Sequence, residues 1–214
     1  MLSNEEITKE TYNKIAIEYT NHTSSNQINI RQILDSDIER VLKLIKQPFG
    51  NKNVLVPGAG DARDAILFKN NGFETTCIDY SLQMKEIAVK NGYPSNNYVV
   101  NDIRNENVVK RYNLVWASTS MYHINKYDFK NKILPSFFNC LIEDKIFYLN
   151  LFLGNGEFLE EMPKSYVQSG SRFYAYYAED EICNLIEYAG FTLIETNISE
   201  IFNKKFIRII SKIK

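Results

Sequence analysis

The stretch from Asn53 to Asp79 constrains this chain more than any other. It opens on a short apolar run, Val54-Leu55-Val56, passes through Pro57-Gly58-Ala59-Gly60 and enters an acidic helix start at Asp61 and Asp64. The helix covers Asp61 to Asn71 and is closed by Gly72; a second strand, Glu74 to Ile78, then ends on Asp79. Strand, glycine turn, helix, strand and acid, in that order, is how an α/β fold holds a nucleoside-bearing ligand. The two glycines let the backbone bend sharply and approach a ligand where a Cβ would collide. Asp79 stands 19 residues beyond Gly60, about where an acid hydrogen-bonds ribose hydroxyls. A G-x-G alone marks many ordinary tight turns; the acid at the end of the second strand makes this one a cofactor site.

The alternation continues. Ser81 caps a helix carrying Met84, Ile87 and Ala88, with Gly92 placed to stop it. Tyr98-Val99-Val100 is a third strand ending at Asn101-Asp102, and Asn113 to Ala117 is a fourth, followed by a loop from Ser118 to His123. Phe129, Ile133, Phe137 and Leu141 mark the next helix, in which Pro135 implies a kink or a late start. Ile146 to Leu153 is apolar nearly throughout, as a strand covered on both faces must be. Residues 154–177 hold glycines, a proline and several aromatics without a clear period, and read as a long substrate-side loop. A helix through Ile182, Leu185, Ile186 and Ala189 stops at Gly190, and the runs Phe191 to Thr196 and Lys205 to Ser211 have no helix between them. These last two strands are therefore expected to be antiparallel neighbours.

Two helices precede the first strand. Ser3 and Glu6 have capping-box spacing, and Tyr12, Ile15, Ala16 and Tyr19 recur on one face. The polar stretch from Asn21 to Asn26 is expected to break this helix. The second places Ile30, Ile33, Leu34, Val41, Leu42 and Ile45 on its apolar side and ends by Pro48 and Gly50. At 214 residues the chain reads as one domain, with a helical cap over 1–50 and an α/β core over 53–214.

Composition narrows the function. A formal net charge of −1 argues against a dedicated nucleic-acid binder. No apolar run approaches membrane-spanning length, and the start of the chain lacks the basic-then-apolar pattern of a signal peptide, so a cytoplasmic protein is expected. Cys77, Cys140 and Cys183 form no C-x-x-C and read as reduced, structural thiols. Two separated histidines give no metal-ligand spacing, so no metal is expected.

Open α/β sheets bind ligands beyond the carboxyl ends of their strands. That rule gathers Gly58 and Gly60, Asp79, Asp102, and Ala117 with Ser118. One acid suits ribose; the other can accept from an adenine amino group. The glycine turn lacks the Lys-Ser/Thr pair of a phosphate-binding loop, and the dinucleotide fingerprint wants a third glycine where this chain has Arg63. A pyrophosphate would also sit badly beside Asp61 and Asp64. A cofactor without phosphate and with a positive centre fits better, which describes S-adenosylmethionine. Asp61 or Asp64 would then meet its ammonium, although acids stabilise helix N-termini wherever they occur. His123, in the loop after the fourth strand, is the candidate general base; the alternative is a histidine that only shapes the pocket. His22, in the polar break, is expected at the surface. Arg172, Phe173, Tyr174, Tyr176 and Tyr177 crowd together. They could wall an aromatic or amine substrate and attract an anionic one through Arg172, or divide between core and sheet edge.

With these residues in view, the sequence resembles the class I S-adenosylmethionine-dependent methyltransferases from about Tyr12 to its end. Val54 to Ala65 resembles the family's first motif, with Ala62 in place of its third glycine. Ile78-Asp79-Tyr80-Ser81 through Met84 resembles the second, which implies Asp79 on the ribose and Tyr80 or Met84 against adenine. Asn101-Asp102-Ile103 resembles the adenine-binding motif. Trp116-Ala117-Ser118 through Tyr122 and His123, Arg172-Phe173-Tyr174, and Glu187 to Phe191 resemble small bacterial methyltransferases acting mostly on small molecules. The resemblance implies a Rossmann-like α/β fold: a seven-stranded, mostly parallel sheet with an antiparallel last strand, helices on both faces and two extra N-terminal helices. It places Gly58, Ala59, Gly60, Asp64, Asp79, Tyr80, Met84, Asp102, Ile103, Ala117 and Ser118 around the cofactor, with Tyr12 and Tyr19 covering it. Tyr122, His123, Arg172 and Tyr174 fall on the substrate side. One departure is Ile142-Glu143-Asp144-Lys145, where the family usually has a glycine pair before the fifth strand.

The expected function is methyl transfer to an oxygen or nitrogen of a small molecule. The competing readings are a non-catalytic cofactor-binding regulator, a nicotinamide oxidoreductase, which Arg63 disfavours, and an RNA or protein methyltransferase. For the last, Lys204, Lys205, Arg208, Lys212 and Lys214 make a basic end, read more simply as a solvated last strand and tail.

Overall fold

The computed structural model describes residues 2–26, 28–45, 52–106, 108–109, 111–163, 165–201 and 204–213. Its strands are β1 (Asn53–Pro57), β2 (Glu74–Asp79), β3 (Tyr98–Val100), β4 (Tyr112–Ala117), β5 (Leu141–Phe152), β6 (Gly156–Glu161), β7 (Ser171–Tyr176), β8 (Phe191–Ile201) and β9 (Lys204–Ile213). Its α-helices are α1 (Asn4–Asn26), α2 (Ile28–Leu44), α3 (Arg63–Asn70), α4 (Leu82–Lys90), α5 (Lys126–Asp128), α6 (Leu134–Cys140) and α7 (Glu179–Tyr188).

Seven strands form one sheet in the order β3-β2-β1-β4-β5-β9-β8. The first five pair in parallel, and β9 runs antiparallel between β5 and β8. The chain leaves β1 towards β2 and β3 on one side, then crosses back to β4 on the other. The strand order therefore reverses at β1, and a crevice opens beyond the carboxyl ends of β1 and β4.

The alternation of Val54, Leu55 and Val56 explains why β1 is apolar without a break. Val54 and Val56 join a core with Trp116, Tyr148, Phe68 of α3 and Leu34, Ile38 and Val41 of α2. Leu55 joins the opposite core with Val115, Phe147, Phe137 and Ile182. Both faces of the central strands are covered, which a parallel sheet requires. Trp116 and Tyr148 stack with ring centroids 3.8 Å apart. A smaller cluster of Tyr12, Ile15, Ala16, Met84 and Met162 seats α1 over the end of the sheet.

Local signals explain most boundaries. The α1 capping box forms, with Ser3 N–H donating to Glu6 at 2.7 Å and Glu6 N–H to Ser3 Oγ at 3.2 Å. Ser81 Oγ accepts from Met84 N–H at the start of α4. Two expectations change. The helix expected to break at Asn21 continues to Asn26, because Thr23 Oγ bonds back to the Tyr19 carbonyl at 2.9 Å and the polar residues need not leave the helix. Residues 154–177 are not one long loop: β6 and β7 make an antiparallel hairpin, pairing Phe158 with Tyr174 and Glu160 with Arg172. Aromatic residues on both of its faces hide the period-2 signal. Before Pro135 the helix widens into a π-helical turn, Phe129–Ile133, and α6 starts afresh with the proline in its first turn, where its missing N–H is tolerated. Between Leu141 and Ile146, where the family's glycine pair is absent, β5 steps out of register with β4. Pro48 and Gly50, the expected end of α2, lie outside the described residues, as do the Ile30 side chain and Lys214. Among the described residues no helix is long and apolar enough to cross a membrane.

Candidate active site

A cavity of about 1240 Å³ occupies the crevice at the strand ends, walled by the glycine turn and β2 on one side and by α1 and the β6–β7 hairpin on the other. Single-ligand sites run to roughly 300–1,000 Å³, so this one has room for two molecules side by side.

At the glycine turn, Gly58 and Gly60 have φ of +64° and +53°. A Cβ on Gly58 would lie 2.3 Å from Ser120 Cβ, so only glycine lets the β1 turn pass the loop after β4. Gly60 meets nothing within 4 Å; it is needed there for its backbone angle alone. Asp79 braces this turn, accepting from Gly60 N–H and Ser81 N–H, each at 2.9 Å. Burial pushes its carboxyl up from the ordinary value, opposed by the N–H groups of Ser81, Gly60 and Tyr80. Asp61 is buried and paired with Arg63 at 2.8 Å, and Arg63 also donates to Thr23 of α1 at 2.7 Å. Asp64 accepts from Arg31 and from Trp116 Nε1, the latter at 2.8 Å. Both acids thus line the cavity with their carboxylates already engaged.

Tyr12, Tyr19, Ala59, Tyr80, Met84 and Ile103 also line the cavity. Asp102 does so too, and it is an N-cap as well: it opens a 3₁₀ turn by accepting from Arg104 N–H at 2.9 Å and pairs with the Arg104 guanidinium. Burial acts to raise its carboxyl pKa, but the Arg104 hydrogen bonds win and hold it below the usual value. Ser118 lines the cavity with its hydroxyl buried and unpartnered. Ala117 differs from the sequence expectation. It is the last residue of β4, and its side chain is wholly buried in the sheet core, off the cavity wall.

The far end is built by α1, the loop after β4 and the hairpin. His123 is 7% exposed. Its Nδ1 lies 2.6 Å from the Phe173 carbonyl, which can only accept, so Nδ1 carries the proton and Nε2 accepts from Tyr12 Oη at 2.9 Å. Arg172 Nη1 in turn donates to Tyr12 Oη at 3.3 Å. Burial lowers the His123 pKa to about 3; Arg172 and Lys204 add to this and the Phe173 hydrogen bond opposes it. The imidazole is therefore neutral at physiological pH. Tyr122 and Tyr174 pack against its ring at centroid distances of 4.6 and 4.8 Å.

Every site residue expected from the sequence except Ala117 borders this one cavity. Sequence reasoning passed over Thr23, Ser120, Phe152, Glu160 and Lys204, which also line it; His22, expected at the surface, is half-buried at the rim beside Tyr166. Lys204 and Arg208 are not a solvated end. Lys204 Nζ sits 4.8 Å from the Phe152 and Tyr174 ring centroids, and Arg208 pairs with Asp37 at 2.7 Å. Strand pairing held the missing signal: β9 antiparallel to β5 sets Phe206 against Phe152 and brings Lys204, two residues earlier, to the carboxyl end of the sheet.

A family model described as a methyltransferase domain matches residues 28–196, whereas no curated protein matches the chain. Among solved structures, magnesium protoporphyrin IX methyltransferase from Synechocystis, with bound S-adenosylmethionine, is 14% identical over 100% of this chain and 99% of that one, with a TM-score of 0.76. An S-adenosylmethionine-dependent methyltransferase from Clostridium acetobutylicum is 16% identical over 95% and 99%, with a TM-score of 0.70. A glycopeptide N-methyltransferase complexed with S-adenosylmethionine is 17% identical over 82% and 92%, with a TM-score of 0.62. At such identities the structures speak for the Rossmann-like fold, and the family match speaks for the activity. The chain belongs to the methyltransferase-domain family.

Proposed function

We propose that this protein is a single-domain enzyme, residues 1–214, that transfers a methyl group from S-adenosylmethionine to an oxygen or nitrogen of a small molecule. The observation that carries the cofactor is Asp79. Its carboxylate is fixed by backbone N–H groups at the glycine turn, faces the cavity and meets no cation among the described residues. Such a group suits ribose hydroxyls and would repel a pyrophosphate. The unpartnered Ser118 hydroxyl and the open space over Gly60 fit a ligand lying across this wall.

When bound, S-adenosylmethionine supplies a methyl on a sulfonium, already activated for displacement by a nucleophile. The chain's own task is placement. Tyr80, Met84, Asp102 and Ile103 would flank the adenine, and Gly58, Ala59 and Gly60 the methionine side, with Tyr12 and Tyr19 of α1 excluding water above. Orientation and desolvation of this kind are worth up to roughly 7–11 kcal/mol in favourable intramolecular reactions. On the acceptor side stand Tyr122, His123, Arg172 and Tyr174. Because Tyr12 occupies the lone pair of His123, His123 acts by holding Tyr12, as a positioning residue rather than as a direct base.

Calorimetric titration with S-adenosylmethionine tests the cofactor: binding at roughly micromolar Kd, about −8 kcal/mol, is expected. Asp79→Asn keeps the shape and removes the charge, so affinity should drop by about 1–3 kcal/mol. No binding by the wild-type chain, or an unchanged affinity in the variant, refutes the reading.

A further inference from the structure

The cations in the cavity wall that are not fully on the surface are matched by carboxylates, with one exception. Arg31 faces Asp64, Arg63 faces Asp61, Arg104 faces Asp102, and Lys204 faces Glu160 at 3.2 Å. Arg172 has no carboxylate within 4.0 Å among the described residues. Glu160, its directly opposite partner in the hairpin register, gives its carboxylate to Tyr176 Oη and Lys204 instead. Among the described residues the Arg172 guanidinium makes one hydrogen bond, from Nη1 to Tyr12 Oη, and its Nε is enclosed without an acceptor. Two ring faces border it, with centroids 5.7 Å away at Tyr12 and 5.4 Å away at Tyr174. A part-buried cation resting on π faces and one long hydrogen bond is incompletely compensated, and a planar guanidinium is shaped to grip an oxyanion through paired N–H donors.

The group is also held in place. His123, fixed by the Phe173 carbonyl, accepts a hydrogen bond from the Tyr12 hydroxyl and so turns the lone pairs of Tyr12 Oη towards Arg172. Beside it the cavity is walled by Tyr122, Phe152 and Tyr174, which pack on one another at 4.5 to 5.6 Å between centroids. From this juxtaposition we propose that Arg172 is the anchor for a carboxylate on the methyl acceptor, whose planar, apolar body lies against Tyr122, Phe152 and Tyr174. The acceptor class is an aromatic acid. This inference rests on the methyltransferase reading above, and it names the substrate side of the same site.

Matched acids and amides test it: benzoate against benzamide, 4-hydroxybenzoate against 4-hydroxybenzamide, and indole-3-acetate against indole-3-acetamide. Each is titrated calorimetrically into the full chain, with and without S-adenosylhomocysteine. At least one acid should bind roughly tenfold or more tighter than its amide, the scale of a charged hydrogen bond. Arg172→Gln should abolish that preference, and Arg172→Lys, which keeps the charge without the fork, should retain part of it and guards against a variant that merely fails to fold. S-adenosylhomocysteine affinity should change by less than about twofold in both, well below the loss of one charged contact. The proposal is overturned if no acid is preferred, if the preference survives in Arg172→Gln, or if that variant loses S-adenosylhomocysteine binding, which would place the arginine on the cofactor's carboxylate. If the wild-type chain ignores S-adenosylhomocysteine yet prefers acids through Arg172, the methyltransferase reading fails and the anion anchor stands.

Discussion

His123 links the site to the stability of the fold, and the link can be measured without knowing the substrate. In the unfolded chain a histidine titrates near 6.5; folded, burial and the neighbouring Arg172 and Lys204 bring His123 down to about 3. The folded pKa is depressed, so as pH falls the unfolded chain takes up the proton first. The stabilisation is therefore fully present above about pH 6.5 and is lost progressively as pH falls towards 3. At pH 5 the unfolded state has gained about 2 kcal/mol from this one proton and the folded state almost nothing. His123 is 7% exposed, so solvent screening takes little from that figure. Replacing His123→Gln removes the titration and retains a polar side chain of similar reach. Urea unfolding at pH 7.5 and 5.0 then gives two differences, one per protein, and groups common to both cancel. The wild type should lose about 2 kcal/mol more than the variant over this interval. Equal losses would mean that His123 is not held neutral by its surroundings, and the chain from Phe173 through His123 and Tyr12 to Arg172 would have to be redrawn.

Two substitutions at the glycine turn have opposite signs. Gly58→Ala puts a Cβ 2.3 Å from Ser120 Cβ at a φ of +64°, so overpacking and the left-handed penalty together should destabilise by roughly 2–4 kcal/mol in urea unfolding; a loss under 0.5 kcal/mol would show that the turn yields easily. Ala62 stands where the family has its third glycine and keeps the left-handed angle, φ 61°, at a cost of about 1–2 kcal/mol that glycine avoids. Since glycine adds about 0.5–1 kcal/mol of backbone entropy, Ala62→Gly should stabilise by about 0.5–1 kcal/mol, and a fall in the urea midpoint would refute the strain.

The core of the fold was readable because its signals are local. Val54-Leu55-Val56 between polar flanks, the capping box of Ser3 and Glu6, the cap at Ser81 and the stop at Gly92 each act within a few residues. What escaped depends on pairing across the chain. The hairpin of β6 and β7 is fixed by Phe158 meeting Tyr174 and by Phe173 N–H donating to Thr8 Oγ1 of α1 at 2.8 Å, and neither relation has a signature in the 154–177 composition. The same holds for the site. Asp79 follows from its position after β2, whereas Lys204 enters the cavity only because β9 inserts between β5 and β8. Asp64 and Asp102 border the cavity, but their engagement by Arg31, Trp116 and Arg104 requires the tertiary structure.

The near-zero formal charge of the chain conceals how its charges are spent at the site. Asp61, Asp64, Asp102 and Glu160 are each answered by an arginine or lysine, and a charge so answered is a poor partner for a ligand, because its hydrogen bonds would first have to be given up. Among the described residues, two part-buried groups of the lining remain unanswered by opposite charge, and they stand on opposing walls. Asp79 is held by N–H groups at the glycine turn, and Arg172 by Tyr12 beneath α1. An anion there would repel phosphate and accept from hydroxyls; a cation there would attract an acid. Keeping both unpaired in a part-buried cavity disfavours folding, and the arrangement makes physical sense if two ligands complete them. The charge pattern therefore points to a bisubstrate site whose two halves differ in electrostatic preference, with the methyl transferred across the boundary between them.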